Sequence, residues 1–393
     1  MIDVAILVGG KGSRLNKITK KTPKPLIKID KKKFLDHLLI KLARYKFKNI
    51  YLLCSYKKNL FYKFYNNKKI HKSIIKCIDE GKPKGTGGAL YKIKNKISRK
   101  FIVLNGDTFF NINYQNLINI NLKNNYTCIA IIKTKSFKYN KKVTNLKISK
   151  SGALNFSKRK TNLMNGGIYL FNKKIFKFIK KGNLSLENDI FNQIINKKKA
   201  KGIIFKEKFI DIGTPKKLSY IKKNSNYLKN KAVFLDRDGV INKELGYILS
   251  YKKFKFLKGV KKAIKYINNK NYLVIVITNQ AAVGKSLLNE KKLLNIHKKM
   301  EHSLWNFNKS HIDDIFYSPY YKNSNIKRFR KNKYDRKPNP GMIFKAIKKW
   351  NIDKKNSFFI GDKKTDKIAA SKAKIKFYYK KNVPLYDQIK KII

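Results

Sequence analysis

An apolar run that ends in two aspartates one residue apart, Val233 to Asn242 (VFLDRDGVIN), constrains this chain more than any other stretch. A short apolar run closed by carboxylates and a glycine describes a buried strand whose C-terminal end carries chemistry. With a spacing of two across a turn, Asp236 can attack phosphorus and form an aspartyl-phosphate. Asp238 can protonate the leaving oxygen and later activate water. The competing reading is a chance D-x-D in a surface loop. At position 236 of 393 the motif also leaves room for a whole domain before it, so two domains are the simplest expectation.

Hydrophobic residues make up 42% of the chain, enough to build real cores. The 95 Lys and Arg against 22 Asp and Glu give a formal charge of +73, which raises nucleic-acid or anionic-membrane binding as a rival function class. The lysines are spread over almost every expected helix and loop instead of forming one tail. Lys, Asn, Ile, Phe and Tyr are abundant together while Ala, Gly, Pro and Arg are sparse, as in a genome biased toward A and T codons. Compositional drift is therefore preferred to a nucleic-acid surface. Cys54, Cys77 and Cys128 sit singly in apolar runs and form no C-x-x-C metal pattern or disulfide framework. No window approaches the roughly 18 apolar residues of a membrane span, so a cytoplasmic protein with no membrane partner is expected.

From the N-terminus, residues 2–8 read as a buried strand, followed at once by Gly9, Gly10 and Gly12. Glycines let a backbone approach an anion closely and turn its N–H groups toward it, and Arg14 and Lys24 add charge for a triphosphate. A helix over 34–45, a strand over 49–55, a short helix over 60–66 and a strand over 73–79 follow. Such alternation implies a mostly parallel sheet with sites at strand C-termini.

The stretch GGKGSRLNKITKKTPKPLIKI resembles the G-G-x-G-x-R-L … P-K-P-L signature of sugar-1-phosphate nucleotidyltransferases, and the likeness extends from residue 2 to about residue 220. In that family the loop after the 73–79 strand reads the base. Glu80 to Ala89, with Gly85 inside it, resembles members that transfer guanylyl groups to sugar phosphates, including the heptose type. The chemistry agrees, since a carboxylate at Glu80 can accept from both N1–H and N2–H of guanine, whereas uracil and thymine offer one donor on that edge. A surface glutamate before a turn is the bland alternative. Asp107, at the end of a strand over 101–105, and Asp211, in FIDIGTP, would hold magnesium together with triphosphate oxygens. The resemblance implies a sugar side formed by Lys158, Asn165, Gly166, Gly167 and Glu187. It departs from the family at Ser157, where a glutamate usually precedes the lysine.

After residue 230 four elements follow in order. They are Asp236 with Asp238, Thr278 at the end of a strand over 272–277, Arg336 with Lys337, and Asp362 in GDKKTD after a strand over 357–360. Together they resemble the haloacid dehalogenase superfamily. The likeness implies that Asp236, Asp362 and the Asp238 carbonyl hold magnesium, that Thr278 binds the transferring phosphoryl group and that Lys337 neutralises charge. DRDGVIN, TNQAAVGKS and RKPNPGM resemble more closely the D-glycero-D-manno-heptose 1,7-bisphosphate phosphatases and their histidinol-phosphatase relatives, which implies that Asn279, Arg336 and Lys363 meet the substrate. Those phosphatases usually carry a structural zinc loop before the RKP motif. Here Ser318, Tyr320, Lys333 and Asp335 occupy the ligand places, so no zinc is expected, and packing of Tyr320, Tyr321 and Phe329 would hold the loop. His37, His71, His297, His302 and His311 have no partners at ligand spacing. His297 shares a helical face with Leu293, Met300, Leu304 and Phe307 and is read as a packing residue.

The expected fold class is α/β with two doubly wound domains. Residues 1–225 would form a Rossmann-like mixed sheet with nucleotidyltransferase activity, residues 226–230 a linker, and residues 231–393 a haloacid dehalogenase-like parallel sheet with phosphatase activity. The expected function is bifunctional sugar-nucleotide synthesis on heptose phosphates, with GTP favoured as the nucleoside triphosphate and magnesium in both domains. Assembly of like chains stays open. The alternatives are another sugar phosphate, a phosphatase of changed or lost specificity, and a basic nucleic-acid-binding protein on these scaffolds.

Overall fold

The computed structural model describes residues 2–15, 17–45, 47–134, 144–331 and 333–393, which include every candidate site residue named above. The chain divides into two compact units, Met1–Leu228 and Lys229–Ile393. Among the described residues no helix is long and apolar enough to cross a membrane.

The first unit is built on an eight-stranded mixed sheet. In chain order its strands are β1 (Asp3–Leu7), β2 (Asn49–Cys54), β3 (Lys69–Ile70), β4 (Ser73–Asp79), β5 (Lys100–Asn105), β6 (Thr127–Lys133), β7 (Leu163–Asn172) and β8 (Ala200–Phe205). Their spatial order is β8-β6-β7-β5-β1-β2-β4-β3. β1 pairs in parallel with both β2 and β5, and antiparallel β7 makes the sheet mixed. An uninterrupted apolar run forms β1 because both faces of the sheet are covered: Val4 and Ile6 enter one core and Ala5 enters the other. The helix Phe34–Ala43 buries Phe34, Leu35, Leu38, Leu39 and Leu42, the three-and-four spacing of a single apolar stripe.

Chain connections on the two sides of β1 run in opposite directions, so the crevice beyond its C-terminal end is the topological switch point where ligands of open α/β sheets bind. Gly9 and Gly10 follow β1, Glu80 follows β4 and Asp107 follows β5 at that edge. A two-stranded antiparallel ribbon, Thr108–Phe110 against Phe209–Asp211, pairs Thr108 with Asp211, and Ile212 N–H donates to the Asp107 carbonyl at 2.9 Å. Two carboxylates about a hundred positions apart in sequence are thereby neighbours.

The polar stretch after residue 214 is a packed part of the first unit. Its helix Pro215–Lys223 and the following turn Ser225–Leu228 bury Leu218, Ile221 and Leu228 against the core.

The second unit carries a five-stranded, wholly parallel sheet: β9 (Ala232–Leu235), β10 (Leu273–Asn279), β11 (Asp314–Ser318), β12 (Phe358–Gly361) and β13 (Lys376–Tyr379), in the spatial order β11-β10-β9-β12-β13. Central β9 is buried throughout. Its neighbours β10 and β12 bring Thr278 and Asp362 to the same edge as Asp236. The helix Glu290–Asn306 packs Leu293, Ile296, Met300 and Leu304 inward, and Asn289 caps it by accepting from Lys292 N–H.

Candidate active sites

Two cavities share a wall in the first unit. The smaller, about 290 Å³, is lined by Gly9, Gly10, Gly12, Lys24, Glu80, Gly85 and Asp107 among others. The larger, about 540 Å³, is lined by Arg14, Asp107, Asn165, Gly167, Tyr169, Glu187, Asp211 and Lys217 among others. Asn105 and Asp107 belong to both, so a group held at Asp107 faces both chambers.

Glu80 is fixed by its backbone N–H, which donates to the Cys54 carbonyl at 2.9 Å, and its side chain lies directly over Gly9. A Cβ on residue 9 would stand 1.7 Å from Glu80 Oε1, so only glycine permits this approach. Burial pushes the Glu80 carboxyl up to about 7, with the neighbouring Asp79 charge adding to the rise. Lys24 is itself buried and reaches Asp107 Oδ2 at 3.4 Å. Asp211 accepts from Gly213 N–H at 3.0 Å and forms an ion pair with Lys217, which the sequence reading did not single out.

A continuous chain of hydrogen bonds orders the larger cavity. Asn165 donates to the Tyr169 hydroxyl at 3.0 Å, Tyr169 donates to Glu187 Oε1 at 3.2 Å, and Thr86 donates to Glu187 Oε2 at 2.9 Å. Thr86 stands beside Gly85 at the start of the helix Gly85–Tyr91, so this chain links the loop after Glu80 to Glu187. Two of the expected residues lie away from the cavity they were expected to serve. Arg14 lines the larger cavity and not the glycine-lined one. Lys158 lines neither: it is exposed on the strand Leu154–Thr161, one pleat beyond Phe156, whose ring does reach the cavity.

In the second unit, Lys337 is fully enclosed and its Nζ lies 2.9 Å from Asp236 Oδ1 and 2.6 Å from Asp366 Oδ1. Burial alone would lower the Lys337 ammonium, but the two carboxylates outweigh it and hold it above its ordinary value. Burial pushes the Asp236 carboxyl up, with Lys337 opposing. One carboxylate oxygen from each of Asp236, Asp362 and Asp366 lies within 4.8 Å of the other two. Asp362 Oδ1 is buried with no hydrogen-bond partner, so a hard cation has an unsatisfied oxygen to bind. The residues therefore fit magnesium. Asp366 was missed in the sequence, although GDKKTD places it four residues after Asp362 at the start of the helix Lys364–Lys372. Gly239, with φ of +80°, lets Asp362 approach: a Cβ there would lie 2.2 Å from Asp362 Oδ2.

The Asp238 carboxylate is not part of this cluster. It accepts from Arg237, from Asn242 Nδ2 at 2.9 Å and from Gln280 Nε2 at 2.9 Å. Gln280 also donates to the Thr278 hydroxyl at 2.9 Å, which leaves the Thr278 proton to donate elsewhere. Asn279 exchanges two hydrogen bonds with the backbone of Lys337, at 3.0 and 3.1 Å. Arg336 donates to the Tyr320 carbonyl at 2.7 Å, and Lys363 pairs with Glu244 at 2.6 Å.

The loop between β11 and Arg336 offers no thiolate or imidazole at the four places named above, and those residues do not fit zinc. Buried Phe329 anchors the loop, its ring edge-on to Tyr320 at 6.1 Å, while Arg330 Nε donates to the Ser324 carbonyl at 2.9 Å.

Comparison with known proteins agrees with this division. The model of the nucleotidyl transferase family matches residues 4–230, and that of the polynucleotide kinase 3 phosphatase family matches residues 233–383. D-glycero-beta-D-manno-heptose-1,7-bisphosphate 7-phosphatase of Haemophilus ducreyi is 37% identical over 146 residues, spanning 37% of this chain and 80% of that protein. D-glycero-alpha-D-manno-heptose-1,7-bisphosphate 7-phosphatase of Photorhabdus laumondii is 38% identical over 149 residues, spanning 37% of this chain and 80% of that protein. The crystal structure of HddC from Yersinia pseudotuberculosis is 28% identical, covers 57% of this chain and 100% of its own, and superposes with a TM-score of 0.48. Through residues 4–230 the chain thus belongs to the nucleotidyl transferase family, and through its second unit it belongs to the heptose-1,7-bisphosphate 7-phosphatase family.

Proposed function

We propose that the chain carries out two consecutive steps of sugar-nucleotide synthesis. The second unit removes the 7-phosphate of D-glycero-D-manno-heptose 1,7-bisphosphate. The first joins the resulting heptose 1-phosphate to GMP from GTP and releases pyrophosphate. The observation that carries the reading is the contact of Lys337 with both Asp236 and Asp366, beside a carboxylate with a free buried oxygen. Such a site holds a nucleophilic carboxylate ready for a phosphoryl group and supplies the charge that group needs.

In the second unit Asp236 attacks phosphorus, Asp238 transfers the proton to the departing sugar oxygen, and Thr278 donates to the phosphoryl group. Asp236, Asp362 and Asp366, with the Asp238 carbonyl, would hold magnesium, which supplies positive charge to the phosphoryl oxygens. Asn279, Arg336 and Lys363 would meet the rest of the substrate, Asn279 doing so from its two hydrogen bonds to the Lys337 backbone.

In the first unit Glu80 accepts from guanine, Gly9, Gly10 and Gly12 present backbone N–H groups to the triphosphate, and Lys24 neutralises it. Asp107, on the wall that the two cavities share, and Asp211, in the larger cavity, supply hard oxygen donors, which suits magnesium at the α-phosphate. No protein nucleophile is required, because the sugar phosphate oxygen attacks directly. Asn165, Gly167 and Glu187 hold the sugar, and Arg14 with Lys217 provides the cationic side of the larger cavity.

The test is pyrophosphate release from GTP, ATP, CTP, UTP and dTTP with heptose 1-phosphate, paired with phosphate release from the 1,7-bisphosphate. GTP preference and phosphate release that Asp236→Asn abolishes are expected. A pyrimidine nucleotide preference would overturn the base assignment, and release no faster than Asp236→Asn would overturn the phosphatase assignment.

A further inference from the structure

Arg237 stands between the two aspartates of the D-R-D motif, fully buried, and its guanidinium joins two things that sequence keeps apart. One side grips Asp238: Nε reaches Oδ1 at 3.2 Å, and Nη2 reaches Oδ1 and Oδ2 at 3.0 Å each. The other side, Nη1, lies 3.2 Å from His297 Nε2. A guanidinium has only donors, so His297 Nε2 must carry the lone pair and the imidazole is neutral. Burial first, and the Arg237 charge second, push His297 down to about 3, which agrees with that tautomer. His297 lies on the helix Glu290–Asn306, whose buried Leu293, Ile296, Met300 and Leu304 fix the imidazole against the sheet.

We propose that His297 is a positioning residue for the phosphatase reaction, acting through Arg237 to orient the Asp238 carboxyl toward the leaving oxygen. The inference rests on the phosphatase reading above. Asp238 is held from three directions, by Arg237, Asn242 and Gln280, and Arg237 is in turn hydrogen-bonded to His297 on the helix Glu290–Asn306. In the first half-reaction the Asp236–phosphorus bond forms, the phosphorus–sugar oxygen bond breaks, and the Asp238 proton passes to the departing oxygen. In the second, water gives a proton to Asp238 as its oxygen bonds phosphorus and the Asp236–phosphorus bond breaks, releasing phosphate. A loosened Asp238 slows the first half-reaction only when the leaving group needs that proton.

Leaving-group dependence therefore separates this role from a merely structural one. The quantity to follow is kcat/KM, which reports steps up to phospho-enzyme formation, for heptose 1,7-bisphosphate and for p-nitrophenyl phosphate, whose phenolate departs without a proton. His297→Ala is expected to lower kcat/KM for the sugar phosphate by roughly 10–100-fold more than for the aryl ester, within the range of general acid catalysis. His297→Gln, which keeps an acceptor for Arg237, is expected to recover most of the difference. Arg237→Lys, which keeps the charge but loses the fork, should show the same selective loss should His297→Ala fail to fold. Leu304→Ala, a packing change on the same helix, should lower both substrates alike. Equal losses on both substrates in His297→Ala and Arg237→Lys, or no loss in either, would overturn the proposal while leaving the phosphatase reading intact. A wild-type chain that hydrolyses neither substrate would overturn that reading itself.

Discussion

Glu80 lies so close over Gly9 that a methyl group on residue 9 would stand 1.7 Å from its Oε1. The first glycine of the phosphate loop and the carboxylate assigned to the base are therefore one packed unit. Gly9→Ala must displace Glu80, at a cost of roughly 1–3 kcal/mol for overpacking. The expected outcome is a large rise in KM for GTP with phosphate release by the second unit unchanged, both measured on one preparation. Normal GTP kinetics would mean that Glu80 does not read the base.

The raised carboxyl of Glu80 gives pyrophosphate release a pH signature. Guanine needs the carboxylate, so GTP affinity should rise with pH through about 7, and Glu80→Gln should bind GTP weakly and without that slope. The stability effect has the opposite sign. An acid whose pKa is higher in the folded chain destabilises it increasingly as pH rises from its ordinary value, about 4.5, to about 7. Denaturant melts at about pH 8 should find Glu80→Gln more stable, by up to roughly 3 kcal/mol, and the gain should vanish near about pH 4. A gain that persists in acid would point to a packing effect instead.

Lys337 is the only cation in contact with Asp236 among the described ion pairs, and it serves Asp366 as well. Lys337→Ala leaves two buried carboxylates facing each other, which should cost roughly 3–5 kcal/mol of stability and abolish phosphate release. Asp366→Asn keeps the shape but removes one charge of the cluster. It should raise the magnesium concentration needed for half-maximal phosphate release by roughly 10-fold or more. An unchanged magnesium requirement would remove Asp366 from the cation site.

Much of this was legible because each strand of a buried parallel sheet is an apolar run, and chemistry follows such runs at their ends. Gly9, Glu80, Asp107, Asp236, Thr278 and Asp362 all stand within two residues of the end of one. What sequence could not supply was contact between side chains from distant elements. The Arg237–His297 hydrogen bond spans 60 positions, and the helical periodicity around His297 pointed only to burial. The pairing of Thr108 with Asp211 depends on a ribbon register that neither short strand encodes alone. Asp366 was visible in the spacing of GDKKTD but carried no signal distinguishing it from a helix-capping aspartate, which it also is.

The two lysines on the sugar side give the sharpest contrast. In the proposed reaction a sugar 1-phosphate brings a phosphate dianion into the larger cavity, whose lining among the described residues includes only Arg14 and Lys217 as basic residues. Lys158, expected from the resemblance, is exposed on a strand outside that lining. A lost charge-assisted hydrogen bond is worth roughly 1.5–3 kcal/mol, so Lys217→Ala should raise KM for heptose 1-phosphate by roughly 10–100-fold. Lys217→Arg should keep most of the affinity, and Lys158→Ala should change it by less than about threefold. Lys217 also pairs with Asp211, so a second outcome is meaningful. If its only task is to neutralise that carboxylate, Lys217→Ala will alter the magnesium requirement and leave KM for the sugar phosphate unmoved. A defect confined to Lys158→Ala would mean that the strand Leu154–Thr161 carries the phosphate-binding lysine after all.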